Sequence, residues 1–229
     1  MVGDLGESKK GMSAGAQAVA AVVMVGGLAG VLWGLQEASS HNADDDRPAA
    51  CSGGHDARSS KYVSGAQLCA ALNRPDLPAL LGTPDEHAET AGGSKSSVTL
   101  ADGTKIAAPE ANVDLMTYSV KLSASYDHLP VADTIGYLGE SAEKKTVLGH
   151  PAVLYSDRTI AITFNLGGGK ADSGPGGSAR RLLVAGNAKD GGGSFEIDIW
   201  RQDDVPPDDA ALFRVAEKVL PTIPGWTAG

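Results

Sequence analysis

The residues of this chain best suited to chemistry are its cysteines and histidines. The histidines are His41, His55, His87, His128 and His150. A zinc site needs three or four ligands at close spacings such as H-x₃₋₅-H, and no pair of histidines here has that spacing. His41 and His55 surround an acidic run at residues 44–46, which is typical of a solvated charged segment. His150, in the sequence GHP, is interpreted as a turn residue. We therefore predict no metal site.

Two glycine-rich segments, NLGGGKADSGPGGS and NAKDGGGS, resemble phosphate-binding loops only superficially. A P-loop requires a Gly-Lys-Ser/Thr unit preceded by a further glycine. Here Gly169-Lys170 is followed by Ala171, and Phe164 stands where the first glycine belongs. The motifs G-x-S-x-G and H-E-x-x-H are absent as well. We predict no catalytic residue, no cofactor-binding residue and no cofactor. Both segments are interpreted as flexible connectors, with closure over a ligand as the alternative.

Cys51 and Cys69 are the two cysteines, and together they form a candidate disulfide. Disulfides persist outside the cytoplasm, and a bridge over this separation contributes about 3 kcal/mol by loop entropy. The alternative is that Cys69 is simply a small core residue of a helix. Lipidation of Cys51 is disfavoured, because the preceding apolar run ends at Leu35 and Pro48 occupies a position that favours an aliphatic residue.

The apolar stretch GAQAVAAVVMVGGLAGVLWGL determines where these residues lie in the cell. A bilayer span takes roughly 20 mostly apolar residues, and residues 12–35 meet this need with no A-x-A-like cleavage site after them. Lys9 and Lys10 precede the span and acidic residues follow it, so the positive-inside rule places residues 1–11 in the cytoplasm. We predict a single-pass cell-membrane protein whose C-terminal part is extracytoplasmic.

Charge and helix packing limit the partners that we expect. The formal net charge is −9 and no Lys/Arg stripe is present, which argues against a nucleic-acid partner. Gly26, Gly30 and Gly34 form a small-xxx-small ladder in the predicted span, a candidate face for self-association. We expect the C-terminal part of the chain to bind an unknown protein or a small-molecule ligand.

Composition divides the chain after the span into a stalk and one domain. Residues 36–60 carry almost no large apolar side chains, so burial cannot offset the entropy of ordering them, and we predict a flexible stalk. Residues 61–229 are long enough to bury one hydrophobic core.

Within residues 61–229, helical and strand periodicities alternate along the chain. Ser64–Gln67 is a capping box that starts a helix. The segment Met116–Tyr126 alternates strictly between apolar and polar residues, which predicts a strand with one face in water. Turns are predicted at Asp102-Gly103, at Gly149 and near Asp157-Arg158, and RRLLVAG and SFEIDIW form a last strand pair before a closing helix. These elements predict an α+β domain, a largely antiparallel sheet flanked by helices.

Three segments, LCAALNRPDLPALLGTP, VLGHPAVLYSDRTIAITF and AEKVLPTIPGW, resemble uncharacterised actinobacterial membrane-anchored proteins. The outer domains of those proteins are similar to the PsbP-like α/β/α sandwich of exported lipoproteins. The resemblance implies that fold and a surface location, but it supplies no functional residue. This chain differs from the lipoproteins in having a retained span in place of a lipobox.

These patterns predict a membrane-anchored extracytoplasmic domain with a binding or accessory role and no enzymatic activity. One alternative is a cell-surface hydrolase with its site between the sheet and the glycine-rich loops. Another is an assembly partner that associates through the glycine ladder of the span. A Ser, a His and an acid clustered in one concave pocket would favour the hydrolase.

Overall fold

The fold is described from a computed structural model over residues 48–52, 62–163 and 172–227. The predicted cytoplasmic tail, the predicted span of residues 12–35 and its glycine ladder lie outside the described residues. His41, His55, most of the predicted stalk and part of the first glycine-rich segment also lie outside them. Within these three ranges, no helix has the length and apolar character needed to cross a membrane.

A seven-stranded antiparallel sheet forms the centre of the domain, and a separate two-stranded hairpin lies beside it. The strands are β1 (Thr90–Ser94), β2 (Ser97–Thr99), β3 (Lys105–Ala107), β4 (Glu110–Asp114), β5 (Tyr118–Ser125), β6 (Glu143–Val147), β7 (His150–Thr163), β8 (Asp172–Ala185) and β9 (Ser194–Arg201). The order in the large sheet is β1-β4-β5-β9-β8-β7-β6, and β2 pairs with β3. The predicted α+β class with a largely antiparallel sheet is confirmed.

Within the residues that the structure describes, four short helices accompany the sheet. They are α1 (Gly65–Leu72), α2 (Leu77–Leu81), α3 (Val131–Thr134) and α4 (Asp209–Val219), with 3₁₀ turns at Ile135–Tyr137 and Leu220–Thr222. α1 begins at the predicted capping box: the Gln67 amide donates to Ser64 Oγ at 3.2 Å, and the Ser64 amide donates to Gln67 Oε1 at 2.9 Å. Two orphan amides of the helix end are thereby satisfied.

The first face of the sheet carries the main hydrophobic core and packs against α1 and α4. Val120 and Leu122 of β5 and Ile197 and Ile199 of β9 are fully buried there. Their alternation with polar residues puts every second side chain on this face. The apolar face predicted for β5 is confirmed at these positions, but Met116 lies before the strand and is 70% exposed.

Residues 48–52 are packed on the domain, so the flexible-stalk prediction is wrong for them. The Gly93 amide donates to the Ser52 carbonyl at 2.9 Å, which joins the segment to β1 in a parallel bridge. A disulfide joins Cys51 to Cys69 of α1, with the two Cα atoms 6.0 Å apart. The composition of residues 48–52 shows only that they have few large apolar side chains to bury. Their attachment is made by backbone groups, by hydrogen bonds from the Ser52 hydroxyl and the Asn73 side-chain amide, and by one covalent bond.

The predicted turn near Asp157-Arg158 is absent from the structure, because β7 continues from His150 to Thr163. The register of β7 with β8 shifts between Arg158 and Ile160, which is a bulge and not a reversal. Asp157 fits within a strand because its carboxylate pairs with Arg181 of β8 at 3.2 Å. The described part of the first glycine-rich segment likewise belongs to β8 and is not a connector.

Residues with a positive φ occupy the turns of two hairpins. Gly103 has φ 86° in the predicted Asp-Gly turn between β2 and β3. Between β6 and β7 the two loop residues, Leu148 and Gly149, have φ 50° and 82°, as a tight hairpin turn requires. His150 is therefore the first residue of β7, and its assignment to the turn is wrong.

The second face of the sheet is partly covered, so the prediction that one face of β5 lies in water is also wrong. Ser119 is 1% exposed and Lys121 is 8% exposed, although both alternate with the core residues of β5. Gln202 Nε2 donates to Ser119 Oγ at 2.6 Å. The α3 segment, defined as residues 129–138 around α3, covers one part of this face, with Val131 against Val153 and Tyr155. The alternation of apolar and polar residues in β5 identifies two faces of the strand. It does not show which segments of the chain cover the polar face.

Candidate functional site

A cavity of about 330 Å³ lies on the second face, between the β2–β3 hairpin and the α3 segment. Its polar side is formed by Glu110, Lys121, Tyr155, Arg181, Glu196 and Asp198. Its apolar side is formed by Val98, Leu129, Val131, Leu138 and Leu183. The volume lies near the lower end of the range of about 300–1,000 Å³ for small-molecule sites. An apolar wall facing a few convergent polar groups is the usual composition of such a site.

The antiparallel register places the charged side chains next to one another across four strands. Lys121 of β5 is opposite Asp198 of β9, Asp198 is opposite Arg181 of β8, and Arg181 is opposite Tyr155 of β7. Directly opposite residues on one face of a sheet have Cβ atoms about 4.5–5.5 Å apart. Residues that are far apart in the chain therefore form one polar row across the floor of the cavity.

The second glycine-rich segment holds α3 over this floor. Asp190, in the second glycine-rich segment, accepts hydrogen bonds from the amides of Val131 at 2.7 Å and Ala132 at 2.9 Å. These are amides of the first turn of α3, which have no partner within the helix. The segment NAKDGGGS thus fixes the wall of the cavity, and its interpretation as only a flexible connector is wrong.

Lys121 and Arg181, the cationic residues in the described lining of the cavity, have different surroundings. Lys121 Nζ lies 2.9 Å from Glu110 Oε2, and both side chains are almost fully buried. Arg181 lies closest to Asp157, at 3.2 Å, and one of its terminal nitrogens is 3.8 Å from both Glu196 and Asp198. The guanidinium therefore attracts three carboxylates but forms a close contact with only one.

The acid cluster is not fully neutralised. Burial, followed by the nearby charge of Glu196, raises the pKa of Asp198 to about 7, and the charges of Arg181 and Lys121 oppose this shift only in part. The Tyr155 hydroxyl donates to Glu196. Burial and the two carboxylates raise the pKa of Tyr155 well above its usual value, so the phenol stays protonated as a donor. Burial alone would lower the pKa of Arg181, but the surrounding carboxylates outweigh it and raise that pKa.

Two buried polar atoms have no hydrogen-bond partner among the described residues, namely Asp198 Oδ1 and Arg181 Nε. Asp198 is only 4% exposed, and both residues line the cavity. A buried polar atom without a partner costs about 1–3 kcal/mol, more for a charged group. Two residues of the cavity lining therefore keep unused hydrogen-bonding capacity, one acceptor and one donor.

The residues that the sequence suggested for chemistry lie elsewhere in the structure. His150 is fully buried, with Nδ1 2.7 Å from the Ala185 carbonyl and Nε2 2.8 Å from the Thr227 carbonyl. Its ring stacks on Trp226, with centroids 4.0 Å apart. The Cys51–Cys69 disulfide attaches the N-terminal segment to α1. His150 and Cys69 thus contribute to packing, and neither lines the cavity.

The described lining of this cavity does not combine a serine, a histidine and an acid. The cavity lining includes serines and carboxylates but no histidine or cysteine among the residues that the structure describes. In the same part of the chain, no group of three or more His, Cys, Asp or Glu residues is placed to hold a metal ion.

Sequence reasoning missed every polar residue of the cavity. Glu196 and Asp198 alternate with the apolar residues of the strand SFEIDIW, and Lys121 lies on the face of β5 that the alternation predicts to be in water. The available signal was that these charged positions share one phase of the alternation. That phase identifies a common face, but it does not show that α3 and the hairpin cover it.

Comparison with known proteins identifies the family. The model of a family of unknown function, DUF6215, matches residues 9–141. The chain belongs to this family. No curated protein and no solved structure matches it. The matched region includes the predicted span, the hairpin, Glu110, Lys121 and the α3 segment.

Proposed function

We propose that this protein is a single-pass membrane protein whose α+β domain lies outside the cytoplasm and binds a small molecule without catalysing a reaction. The cavity on the second face carries the proposal, because it combines a volume of about 330 Å³, an apolar wall and unsatisfied buried polar atoms. A structural role alone does not require buried polar atoms without partners in residues that line a cavity. Such atoms lower stability, and a bound molecule offsets that cost.

The membrane anchor is the second part of the proposal. It rests on the apolar residues 12–35 and on Lys9 and Lys10 before them. The glycine ladder at Gly26, Gly30 and Gly34 would allow this anchor to self-associate or to contact another span. Helices on both faces of the sheet support the further proposal that the domain is a PsbP-like α/β/α sandwich of the kind found in actinobacterial membrane-anchored proteins.

Filling the cavity tests the binding role. Ser123 lies on its floor, so Ser123→Trp would occupy the space. Ala132→Trp, on the exposed side of α3, is the matched control. In a ligand-observed NMR screen of cationic, neutral and anionic fragments, the wild-type chain and Ala132→Trp should give the same hits, and Ser123→Trp should lose them. Hits that survive in a folded Ser123→Trp variant, or no hits at all, would overturn the binding role.

Protease treatment of intact cells stripped of their wall tests the orientation. Residues 61–229 should be digested while residues 1–11 stay protected, which antibodies against tags at the two ends would show. Protection of the C-terminal tag in intact cells, followed by its digestion after lysis, would overturn the extracytoplasmic location.

A further inference from the structure

We infer that the cavity selects an organic cation, a primary amine or related group on a small apolar body, whose charge is held by Asp198. This inference rests on the binding role proposed above and adds the chemical class of the ligand. It follows from the excess of carboxylates in the cavity, from the incomplete neutralisation of Asp198 in its lining and from the apolar side chains that line the rest of it.

Carboxylates outnumber cations in the cavity. Among the described residues, its charged lining consists of Glu110, Asp127, Glu196 and Asp198 on the acidic side and Lys121 and Arg181 on the basic side. Asp157, outside the lining, adds a further carboxylate beside Arg181. A cleft that carries an excess of one sign within low-dielectric walls concentrates ions of the opposite sign. The excess here attracts a cation.

The carboxylate that most needs a donor is Asp198. Glu110 has Lys121 at 2.9 Å, and Glu196 accepts the hydrogen bond of Tyr155. Asp198 has Arg181 only at 3.8 Å, and its Oδ1 has no hydrogen-bond partner in the described part of the chain. An ammonium group, which is a donor only, pairs with the Asp198 carboxylate and completes the neutralisation of the cluster.

An anion is a weaker match for the same cavity. Arg181 Nε is also without a partner, so an acceptor on the ligand would find one donor there. However, three carboxylates already lie within 4 Å of the Arg181 guanidinium. An added anion would be repelled by Glu196 and Asp198 at short range. A metal ion is not favoured either, since the described residues offer no group of three ligands for it.

The opposite wall fixes the rest of the ligand. Val98 of the hairpin and Leu129, Val131 and Leu138 of the α3 segment face the polar floor across the cavity. An apolar body buried against these side chains gains about 25 cal/mol per Å² of apolar surface removed from water. The ligand class is therefore an amphipathic amine and not a fully hydrated cation.

Cation binding in this cavity is linked to a proton. The groups that face Asp198 are Glu196 on β9, Arg181 on β8, Lys121 on β5, and Tyr155 and Asp157 on β7. Because the pKa of Asp198 is raised to about 7, the empty site is protonated below that pH, and binding an ammonium group releases this proton. A primary amine stays charged from pH 6 to pH 8. Its affinity should therefore be about tenfold lower at pH 6 than at pH 8.

Three probes of matched size test the inference: phenethylamine, 2-phenylethanol and 3-phenylpropanoate. They are titrated by calorimetry into the full-length chain in lipid nanodiscs, with protein-free nanodiscs as the reference. Phenethylamine should bind at least about tenfold more tightly than the other two at pH 8, and only its affinity should fall at pH 6. Asp198→Asn should remove this preference and its pH dependence. Asp133→Asn, which removes an exposed carboxylate of α3, should change neither.

Each other outcome has a definite meaning. If 2-phenylethanol or 3-phenylpropanoate binds as tightly as phenethylamine, and Ser123→Trp removes the binding, the cavity function stands and the cation inference is overturned. If phenethylamine binds preferentially but its affinity is the same at pH 6 and pH 8, Asp198 is not the group that holds the charge, and the inference is again overturned. If none of the probes binds, both the inference and the binding role fall. The pH comparison uses the unaltered chain, so it does not depend on the folding of any variant.

Discussion

Removing the disulfide by Cys51→Ser should lower the stability of the domain by an amount that its loop length sets. Cys51 is exposed and Cys69 is fully buried, so replacing Cys51 breaks the bond without placing a hydroxyl in the core. The sequence separation is 18 residues. Restricting the unfolded chain by a loop of this size contributes about 3 kcal/mol.

The melting temperature of Cys51→Ser should fall in proportion to this loss of unfolding free energy. For a chain of about 150–250 residues, 1 kcal/mol corresponds to about 2–4 °C, so the expected decrease is about 6–12 °C. The Ser52 and Gly93 hydrogen bond at 2.9 Å remains available in the variant, as does the donation from the Ala49 amide to the Ala88 carbonyl. These contacts lie in the native state, whereas the disulfide acts on the unfolded chain, so they do not replace its contribution.

Scanning calorimetry of the full-length chain with and without dithiothreitol measures the effect. Reductant should lower the melting temperature of the wild type to that of Cys51→Ser, and it should leave the variant unchanged. Labelling of free thiols shows that the bond has been reduced. An unchanged melting temperature in a wild-type sample whose thiols are fully labelled would refute the loop-entropy argument for this bond.

Four further predictions concern the two faces of the sheet and the C-terminal segment. Val120→Asp places a carboxylate in the core and should cost several kcal/mol in urea unfolding. Ser119→Asp should be damaging as well, because Ser119 is 1% exposed; a near-neutral result would mean that this face is open to water. Asp198→Asn should raise the melting temperature at pH 8 and leave it unchanged at pH 4, and an equal gain at both pH values would contradict the raised pKa. His150→Ala should cost about 3–5 kcal/mol through the lost hydrogen bonds and stacking on Trp226, and a loss below 1 kcal/mol would show that the C-terminal segment is held without it.

The sign of the Asp198 prediction follows from proton binding. The ordinary pKa of 3.8 describes this carboxyl in the unfolded chain, and burial raises its pKa to about 7 in the folded one. Between these values the folded chain holds a proton that the unfolded chain has released. The protonated Asp198 carboxyl therefore makes its full contribution to the free energy of unfolding below the ordinary pKa. This contribution is lost as the pH rises through the range up to about 7. Asparagine carries no charge at any pH, so its advantage appears only where Asp198 would be ionised.

The sequence alone determined the elements whose signals are local. The capping box at Ser64–Gln67 starts α1 because both hydrogen bonds are made within one turn of chain. The Asp102-Gly103 turn forms because glycine adopts a positive φ without steric cost. The apolar positions of β5 and β9 lie on one face because side chains alternate in any strand. These features gave the α+β class and the first face of the core.

Tertiary structure decided the second face, and with it the candidate site. Tyr155, Arg181 and Asp198 meet because three strands pair in one particular register, and strand order is not encoded in any local pattern. Asp190 holds α3 over them through hydrogen bonds to amides almost sixty residues away in the chain. Burial of polar residues depends on what covers them, so a sequence in which they alternate with apolar ones looks the same whether they meet water or a cavity. The sequence thus determined which residues share a face, and only the packing of distant segments determined that this face encloses a site.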